Sequence, residues 1–267
     1  MDLRLRCCVL NHLFHSQLTL GIAECVVAAL LALAVMLLAR KRAPGILKEL
    51  PVAEIRGVVQ IVAVGAILAL MLRGPQWTSL LVLAVMMLAA ASIVRKRAKR
   101  IPRAFLLALT SICAGTGVVL AIMIVFGVIP LKITMLVPVG SMVIANTMNT
   151  QSLFLDRLRG EVTSHVGEIE SALALGASAD AAVLPYLNAA FRACLIPSVD
   201  NIRSLGIVWI PGIMAGMVLS GASPMFAALY QFVVLTTIFS ASALACFVSS
   251  HLVTGRIFTL HEQLMLR

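Results

Sequence analysis

Long apolar runs recur along this sequence, and they decide what it can fold into. An α-helix needs roughly 20 apolar residues to cross the roughly 30 Å hydrocarbon core of a membrane. Of the 267 residues, 61% are hydrophobic and only 12% are charged, whereas soluble domains carry about 25% charged residues. The runs are continuous and do not alternate with period two, which excludes a transmembrane β-barrel. The sequence therefore predicts an all-α, polytopic bundle of transmembrane helices.

The apolar runs predict about seven spans in a single domain that covers residues 1–267. The first run is too long for the apolar part of a cleaved signal peptide, so it is predicted to be a retained span. Short turns rich in glycine and proline separate the second span from the third and the sixth from the seventh. The predicted spans are residues 18–39, 52–72, 77–94, 104–128, 133–154, 204–222 and 225–250.

Lysine and arginine are distributed unevenly between the two sides of these spans. One side receives 17 of the 21 basic residues and the other receives 4. Because basic residues concentrate on the cytoplasmic side, the N-terminus is predicted outside and the C-terminus in the cytoplasm. The longest segment between spans, residues 155–203, is then cytoplasmic.

Several functional classes are disfavoured by what the sequence contains. The net charge of +10 follows from basic clusters beside apolar runs, and aromatic residues are only 5%, so nucleic-acid binding is not expected. The six cysteines show no C-x-x-C spacing that would indicate a zinc site or disulfide framework. No H-E-x-x-H or G-x-S-x-G motif and no pair of carboxylates lies in the spans, which disfavours an intramembrane enzyme. A secondary transporter is less favoured because internal repeats and buried ionisable residues are lacking.

The cytoplasmic segment is patterned as two helices joined by a turn. A mixed polar and apolar stretch from Glu161 to Leu175 ends at Gly176, and glycine accepts the left-handed conformation that often follows the last turn of a helix. Ser178 or Asp180 can then cap a second helix, predicted to end before Pro197. This is more structure than a plain connector needs.

The same segment resembles sequences of ABC transporter permeases. Glu170, Ser171 and Ala172 with Gly176 resemble, in part, the E-A-A-x-x-x-G loop of ABC importers. A similarity along most of the chain is to the FetB-type family of ABC permeases, which includes proposed bacterial iron exporters and plant aluminium-tolerance subunits. The residues that carry it are Arg56, Gln60, Gly65, Pro138, Gly140, Met142, Asn146, 175–178, 192–200, Pro211, Gly212, Met214, Gly216, Gly221, Pro224, Tyr230 and Gln231.

This resemblance implies a permease subunit that cannot power itself. The sequence contains no Gly-Lys-Ser/Thr and so no phosphate-binding loop. Therefore the chain is not expected to be an enzyme or to bind a cofactor, and ATP and Mg²⁺ would be held by a separate ABC ATPase subunit. The resemblance implies a homodimer in a bacterial inner membrane that exports iron. The alternative is ABC export of a small polar solute such as a nucleotide sugar.

Residues with expected roles fall into three groups. Contact with the ATPase is assigned to residues of the cytoplasmic segment: Glu170, Leu175, Gly176, Ala177, Ser178, Arg192 and Asp200. For Arg192 and Asp200 the alternatives are an ion pair with each other or a role as ordinary interfacial charges. A polar residue in a span raises the free energy of membrane insertion, so it is a candidate for the translocation pathway. The alternative is that it forms a hydrogen bond with a neighbouring helix. The second group is Glu24, Gln60, Met142, Asn146 and Asn149. Residues of the third group are predicted to break, bend or closely pack helices: Pro138, Gly140, Pro211, Gly212 and Gly216. No metal ligands can be named.

Overall fold

The computed structural model describes residues 17–38, 44–71, 77–98, 101 and 103–257, and nearly all of them are helical. Within these residues no β-strand forms beyond one isolated bridge between Leu205 and Trp209. The helices are α1 (Gln17–Leu38), α2 (Pro44–Met71), α3 (Thr78–Arg97), α4 (Ala104–Ile112), α5 (Val118–Val125), α6 (Ile133–Ser164), α7 (Val166–Ala174), α8 (Ala179–Arg203), α9 (Gly212–Leu219) and α10 (Pro224–Ile257). The predicted all-α class is confirmed.

The chain divides into two compact units, residues 1–73 and 74–267. In the first unit α1 packs against α2, and both expose large apolar side chains such as Leu31, at 67%, and Ile61, at 68%. A helix that is apolar around its whole circumference suits a membrane. This unit therefore presents a surface suited to lipid or to other membrane helices.

The core of the second unit lies around α6 and α10. Both helices contact α8, and α6 also contacts α3. Phe154, Leu107 and Leu155 are fully buried among these helices. α4 and α5 form one continuous helix through a π-helical turn, Cys113–Gly117. Gly115 lies in this turn against α10, because a Cβ at this position would be 2.5 Å from the Ala241 carbonyl oxygen.

Within the described ranges, five helical segments are long and apolar enough to cross a membrane by length and composition. They are Gly21–Leu38, Thr78–Arg97, Ala104–Val125, Ala179–Arg203 and Pro224–Arg256. Four of them contain or overlap predicted spans, whereas Ala179–Arg203 falls in the segment predicted to be a cytoplasmic loop. The number of spans and the orientation of the termini stay predictions.

The prediction of a helical sixth span over 204–222 is wrong. Residues 204–211 form a turn in which the Gly206 amide donates to the Trp209 carbonyl at 3.1 Å. Gly206 has φ +76, and Pro211 directly precedes the short helix α9. An eight-residue helix is about 12 Å long, which is too short to cross a bilayer. The sequence is apolar enough for a span, but glycine and proline end the helix.

The second helix of the predicted cytoplasmic segment is also longer than expected. α8 continues through Pro185 and Pro197 to Arg203, where the prediction ended it before Pro197. Its 25 residues correspond to about 37 Å. Proline removes one helical hydrogen bond, but packing against α6 and α10 holds the helix together.

The packing of α8 against α10 brings two buried thiols together. The sulfur atoms of Cys194 and Cys246 are 3.8 Å apart. A disulfide needs about 2.05 Å, which small side-chain rotations can supply. We expect a thiol oxidant such as diamide to link this pair, measured as the loss of two hydrogen atoms by mass spectrometry of the intact chain.

The matched control for this oxidation is a Cys194→Ser variant, which should keep Cys246 as a free thiol under the same treatment. Cys113, whose thiol lies 4.0 Å from the Met87 thioether sulfur, should also stay free of an intramolecular disulfide. A Cys194–Cys246 pair that stays unlinked after prolonged treatment with excess diamide would contradict the observed packing of α8 on α10.

Candidate functional site: the α7–α8 tip

The turn between α7 and α8 is closed by a complete set of backbone hydrogen bonds. The Ala177 amide donates to the Ala172 carbonyl at 3.0 Å, and the Gly176 amide donates to the Leu173 carbonyl at 3.0 Å. These two bonds define a Schellman motif, and Gly176 has the positive φ of +91 that the motif requires. The predicted role of Gly176 as helix terminator is confirmed. We call Leu175 to Ser178 the α7–α8 tip.

Ser178 begins the next helix as its N-cap. Its backbone is extended, and its Oγ accepts a hydrogen bond from the Ala181 amide at 3.3 Å. Asp180 lies in the first turn of α8, where a negative charge is favourable beside the positive end of the helix dipole. Of the two predicted caps, Ser178 is therefore the one used.

The tip presents an apolar side chain that no other described residue covers. Leu175 is 89% exposed, although leucine is costly to leave in water. No heavy atom outside the turn lies within 4 Å of a Cβ placed on Gly176, so a larger residue there meets backbone strain of about 1–2 kcal/mol and no collision. The tip is thus rigid in its backbone and open on its surface.

α7 is fixed against α8 by a hydrogen bond, a ring stack and a buried isoleucine. The Tyr186 hydroxyl on α8 donates to Glu168 Oε2 on α7 at 2.9 Å. The His165 ring stacks on the Tyr186 ring, with centroids 4.8 Å apart, and Ile169 is buried beneath α7. The tip therefore moves as one piece with the start of α8.

We expect Tyr186→Phe to loosen α7 while leaving the fold intact. The substitution removes the hydrogen bond to Glu168, a loss of about 1 kcal/mol, which corresponds to roughly fivefold faster hydrogen exchange of α7 amides. The chain has two tyrosines, and the Tyr230 hydroxyl has no hydrogen-bond partner among the described residues. Tyr230→Phe is therefore the control, and equal exchange in both variants would contradict this role of Tyr186.

The surroundings of the tip are acidic in a strongly basic chain. No lysine or arginine occurs between Arg159 and Arg192, while Glu161, Glu168, Glu170 and Asp180 all lie there. An open groove of about 790 Å³ runs along α7 beside the tip. It is lined by Ser164, His165, Gly167, Glu168, Ser171, Ala172 and Leu175.

Arg192 and Asp200 do not pair with each other. Asp200 Oδ1 lies 3.9 Å from Arg203 Nη1, and both of these side chains are exposed. Arg192 is eight residues from Asp200, about 12 Å along α8, and is also exposed. The alternative of an Arg192–Asp200 ion pair is therefore wrong, and contact of either residue with an ATPase stays a prediction.

The predicted break in the fifth span is absent. α6 continues through Pro138 as one helix of 32 residues, and Gly140 serves close packing against Leu83 of α3. A Cβ at Gly140 would be 2.7 Å from Leu83 Cδ2. Proline and glycine are tolerated in this membrane-type helix because neighbouring helices support the backbone.

The predicted polar stripe of α6 is only partly buried, with Met142 at the edge of the core. Met142 and Asn146 are half-buried and Asn149 is exposed. The Asn146 amide nitrogen donates to the Met142 carbonyl at 2.9 Å, within its own helix. The buried face instead carries Thr147 and Gln151, both at 0% exposure. Whether the Met142–Asn149 stripe lines a pathway stays a prediction.

Two further pathway candidates, Glu24 and Gln60, are exposed on α1 and α2 of the first unit. A cleft of about 770 Å³ between these helices is lined by Glu54 and by apolar side chains such as Val58, but by neither candidate. Glu24 and Arg56 form no ion pair within the described residues. Roles for Glu24 and Gln60 stay predictions.

Pro211 precedes α9 and is buried, whereas Gly212 and Gly216 are exposed. Among the described residues, no atom of a neighbouring element lies within 4 Å of a Cβ on either glycine. The predicted close packing at these glycines is therefore not made with the part of the chain that the structure describes. Contact with a second copy of the chain through Gly212 and Gly216 stays a prediction.

Sequence reasoning missed the buried polar residues of the second unit. Their signal is helical spacing: Thr147 and Gln151 are one turn apart on α6, and Gln231, Ser242 and Ser249 recur at nearly whole turns of α10. Gln231 is one of the residues that carry the resemblance to the FetB-type family. The others are single polar residues within long apolar runs, where hydropathy gives no signal for them.

Comparison with known proteins gives one family and several relatives. The family model described as Uncharacterised protein family UPF0014 matches residues 22–258. UPF0014 membrane protein YjkA of Bacillus subtilis is 34% identical over 82% of this chain and 88% of its own length. UPF0014 membrane protein STAR2 of Oryza sativa is 30% identical over 92% of this chain and 87% of its own length.

A third relative carries a functional name. "Probable iron export permease protein FetB" of Escherichia coli is 28% identical over 89% of this chain and 92% of its own length. No solved structure matches the chain significantly.

Proposed function

The chain belongs to the UPF0014 family and is an integral, multi-pass membrane protein, and from this premise we propose that it is the permease subunit of an ABC exporter. A separate ATPase subunit binds ATP and Mg²⁺ and supplies the energy. The α7–α8 tip is the element that this ATPase grips. The membrane is the bacterial inner membrane.

The tip is the observation that carries this proposal. A turn with a fixed backbone that exposes Leu175 by 89% beside an open groove, in acidic surroundings, has the features of a docking surface. Covering this leucine with a partner would remove its apolar surface from water, which is favourable. The sequence contains no phosphate-binding loop of its own, so the partner that fits is the missing motor.

The corrected helices keep the proposed topology intact. α8 replaces the predicted sixth span, so the count of seven crossings is retained. α6 then enters the cytoplasm, the tip lies there, α8 returns outward and α10 comes back. The connection over 204–223, with α9, lies on the outer side, and the cytoplasmic segment shortens to about 155–178. Arg192 falls inside α8, where an exposed charge must face water or another chain rather than lipid.

Assembly as a homodimer completes the exporter. Most homo-oligomers are closed two-fold dimers, and two copies of the tip would engage two ATPase subunits. The exposed Gly212 and Gly216 of α9 allow close approach of a second helix. The permease itself performs no ATP hydrolysis.

Iron is the proposed cargo, supported by the name of the Escherichia coli relative. The alternative, a small polar solute such as a nucleotide sugar, is favoured by one observation. Among the described residues, no three His, Cys, Asp or Glu side chains come together in a group that could hold a metal ion. The buried polar side chains are neutral amides and hydroxyls.

Flux in proteoliposomes tests the proposal. The purified chain is reconstituted with a candidate ABC ATPase subunit from the same organism, and ATP-dependent movement of radiolabelled iron is compared with that of a nucleotide sugar. We expect iron flux that disappears with a hydrolysis-deficient ATPase. Flux of the nucleotide sugar alone would support the alternative cargo, and flux of either without an ATPase would indicate a secondary transporter.

A further inference from the structure

Several buried polar atoms in the second unit have no hydrogen-bond partner among the residues that the structure describes. Gln231 is 0% exposed, and both atoms of its amide are unpaired. The hydroxyls of Thr116, Thr147 and Ser242 are likewise buried and unpaired, as is the amide oxygen of Gln151. Buried polar groups are nearly always satisfied, and exceptions indicate water, an ion or a function. In a membrane the cost is greater, because lipid supplies no partner.

Three polar residues of α10 share one face of the helix. Ser242 and Ser249 follow Gln231 by 11 and 18 residues, which are close to three and five turns of 3.6 residues. Gln231 and Ser249 are therefore separated by about 27 Å along the helix axis. This is nearly the thickness of the hydrocarbon core. One face of α10 thus carries polar groups across the whole membrane.

The neighbouring helices place polar groups at matching heights. Gln151 Nε2 of α6 donates to Ser249 Oγ at 3.4 Å. Thr147 precedes Gln151 by one turn. α10 is antiparallel to α4–α5, because Arg256 Nη1 donates to the Arg103 carbonyl at 3.0 Å while Gly115 packs against Ala241. α6 follows α5 after the short connection 126–132 and contacts the same helix, so it runs in the direction of α10. Thr147 therefore lies near the height of Ala245, one turn before Ser249.

The π-helical turn adds a group at the same height. Gly115 packs directly against Ala241 and Ala245, which places its neighbour Thr116 at the height of this part of α10, where Ser242 also lies. π-helical turns are rare and occur often at functional sites. We name these six residues the polar seam: Thr116, Thr147, Gln151, Gln231, Ser242 and Ser249.

We propose that the polar seam is the path by which the solute crosses, closed in the conformation seen here and filled with water during transport. This inference rests on the proposed function. Parting α10 from α6 and the π-helical turn exposes the unpaired groups to water, which satisfies them. Ile238 lies on the same face between Gln231 and Ser242 and closes the path when the helices are together.

The chemistry of the seam defines the ligand class. All six side chains are neutral amides or hydroxyls, and none is ionisable. Such groups bind a ligand through hydrogen bonds to oxygen, either the hydration shell of a metal ion or the hydroxyls of a polar solute. A bare, soft metal ion would need thiolate or imidazole ligands.

Cysteine accessibility tests the seam independently of flux. In a chain whose native cysteines are replaced by serine, Gln231→Cys and Ser242→Cys are treated with a water-soluble methanethiosulfonate reagent. The control is Thr237→Cys on the same helix. Thr237 is equally buried, faces another direction, and its hydroxyl already donates to the Val233 carbonyl at 2.8 Å.

We expect both seam cysteines to react about tenfold faster than the Thr237 cysteine during ATP turnover. Labelling is repeated with iron in one arm and with a nucleotide sugar in another. The solute that is the cargo should slow the reaction of the seam cysteines. Equal reactivity at all three positions in a complex that still transports would overturn the seam and leave the proposed function standing. Absence of ATP-driven flux in the unmodified complex would instead remove the proposed function.

The variant Gln231→Leu distinguishes a role in the translocation path from a role in helix packing. Replacing an unpaired buried amide by an apolar side chain should leave the melting temperature unchanged or raise it. We expect flux to fall severalfold in this variant even so. Unchanged flux together with raised stability would contradict the seam.

Discussion

Leu175→Asp is expected to abolish binding of the ATPase subunit while leaving the fold and membrane insertion unchanged. Leu175 is 89% exposed, so its replacement removes almost no packing within the chain. In the complex it is the apolar centre of the tip, and loss of such a contact costs roughly 2–4 kcal/mol. This corresponds to a roughly 30- to 1000-fold increase in Kd. The measurement is binding of the purified ATPase to the permease in detergent or nanodiscs.

Leu219→Asp is the matched control for this substitution. Leu219 is also 89% exposed and lies two residues before Gly221, a glycine of positive φ that follows the end of a helix. It belongs to the connection proposed to face the outside, so binding of the ATPase should be unaffected. Equal loss of binding in the two variants would show that exposed leucines at helix ends matter for stability or insertion and not for docking.

Gly115→Ala is expected to produce the largest loss of stability. Its new Cβ would lie 2.5 Å from the Ala241 carbonyl oxygen and 2.7 Å from the Ala245 backbone nitrogen. Because both are backbone atoms of α10, rotation of a side chain cannot relieve the collision, and the helices must separate. Overpacking of this kind costs about 1–3 kcal/mol. Thermal unfolding of the purified chain should show a clearly lowered midpoint.

Gly117→Ala is the control in the same π-helical turn. A Cβ at Gly117 meets no atom of another element within 4 Å. Because alanine favours helix over glycine by up to about 1 kcal/mol, this variant should be as stable as the original chain or more stable. If both alanine variants lower the unfolding midpoint equally, the loss of stability comes from a Cβ in the π-helical turn itself and not from contact with α10.

The tip could be predicted because its determinants are local. Gly176 and Ser178 act on backbone groups within five residues of themselves, so a short stretch of sequence specifies the turn and the cap. The tertiary contacts of the same region were beyond prediction. The stacking of His165 on Tyr186 joins residues 21 positions apart and depends on how α7 lies on α8.

The sixth span was predicted in the wrong place because hydropathy carries no information about where a helix ends. The apolar stretch Ile207 to Ile210 raises the local hydropathy, yet Gly206 and Pro211 keep it out of any helix. α8 was predicted too short, and not as a span, for the opposite reason. Arg192 and Asp200 lower its apolarity, and Pro197 suggests an end, but the helix continues because its other faces pack on α6 and α10.

The buried polar groups escaped prediction because burial depends on which helices meet. On α6 the sequence offered two polar faces, Met142 with Asn146 and Asn149, and Thr147 with Gln151. Contact with α10 buries the second face and leaves the first partly open. Nothing in the spacing of residues along α6 alone distinguishes the two.

The most direct test of the account is the reactivity of a single cysteine at position 175 in an otherwise cysteine-free chain. Leu175→Cys replaces an exposed side chain at the tip, so it should react with a membrane-impermeant thiol reagent only from the cytoplasmic side. Addition of the ATPase subunit should shield it. Labelling from the outer face, or unchanged labelling when the ATPase is bound, would contradict a motor that grips the pore at this tip.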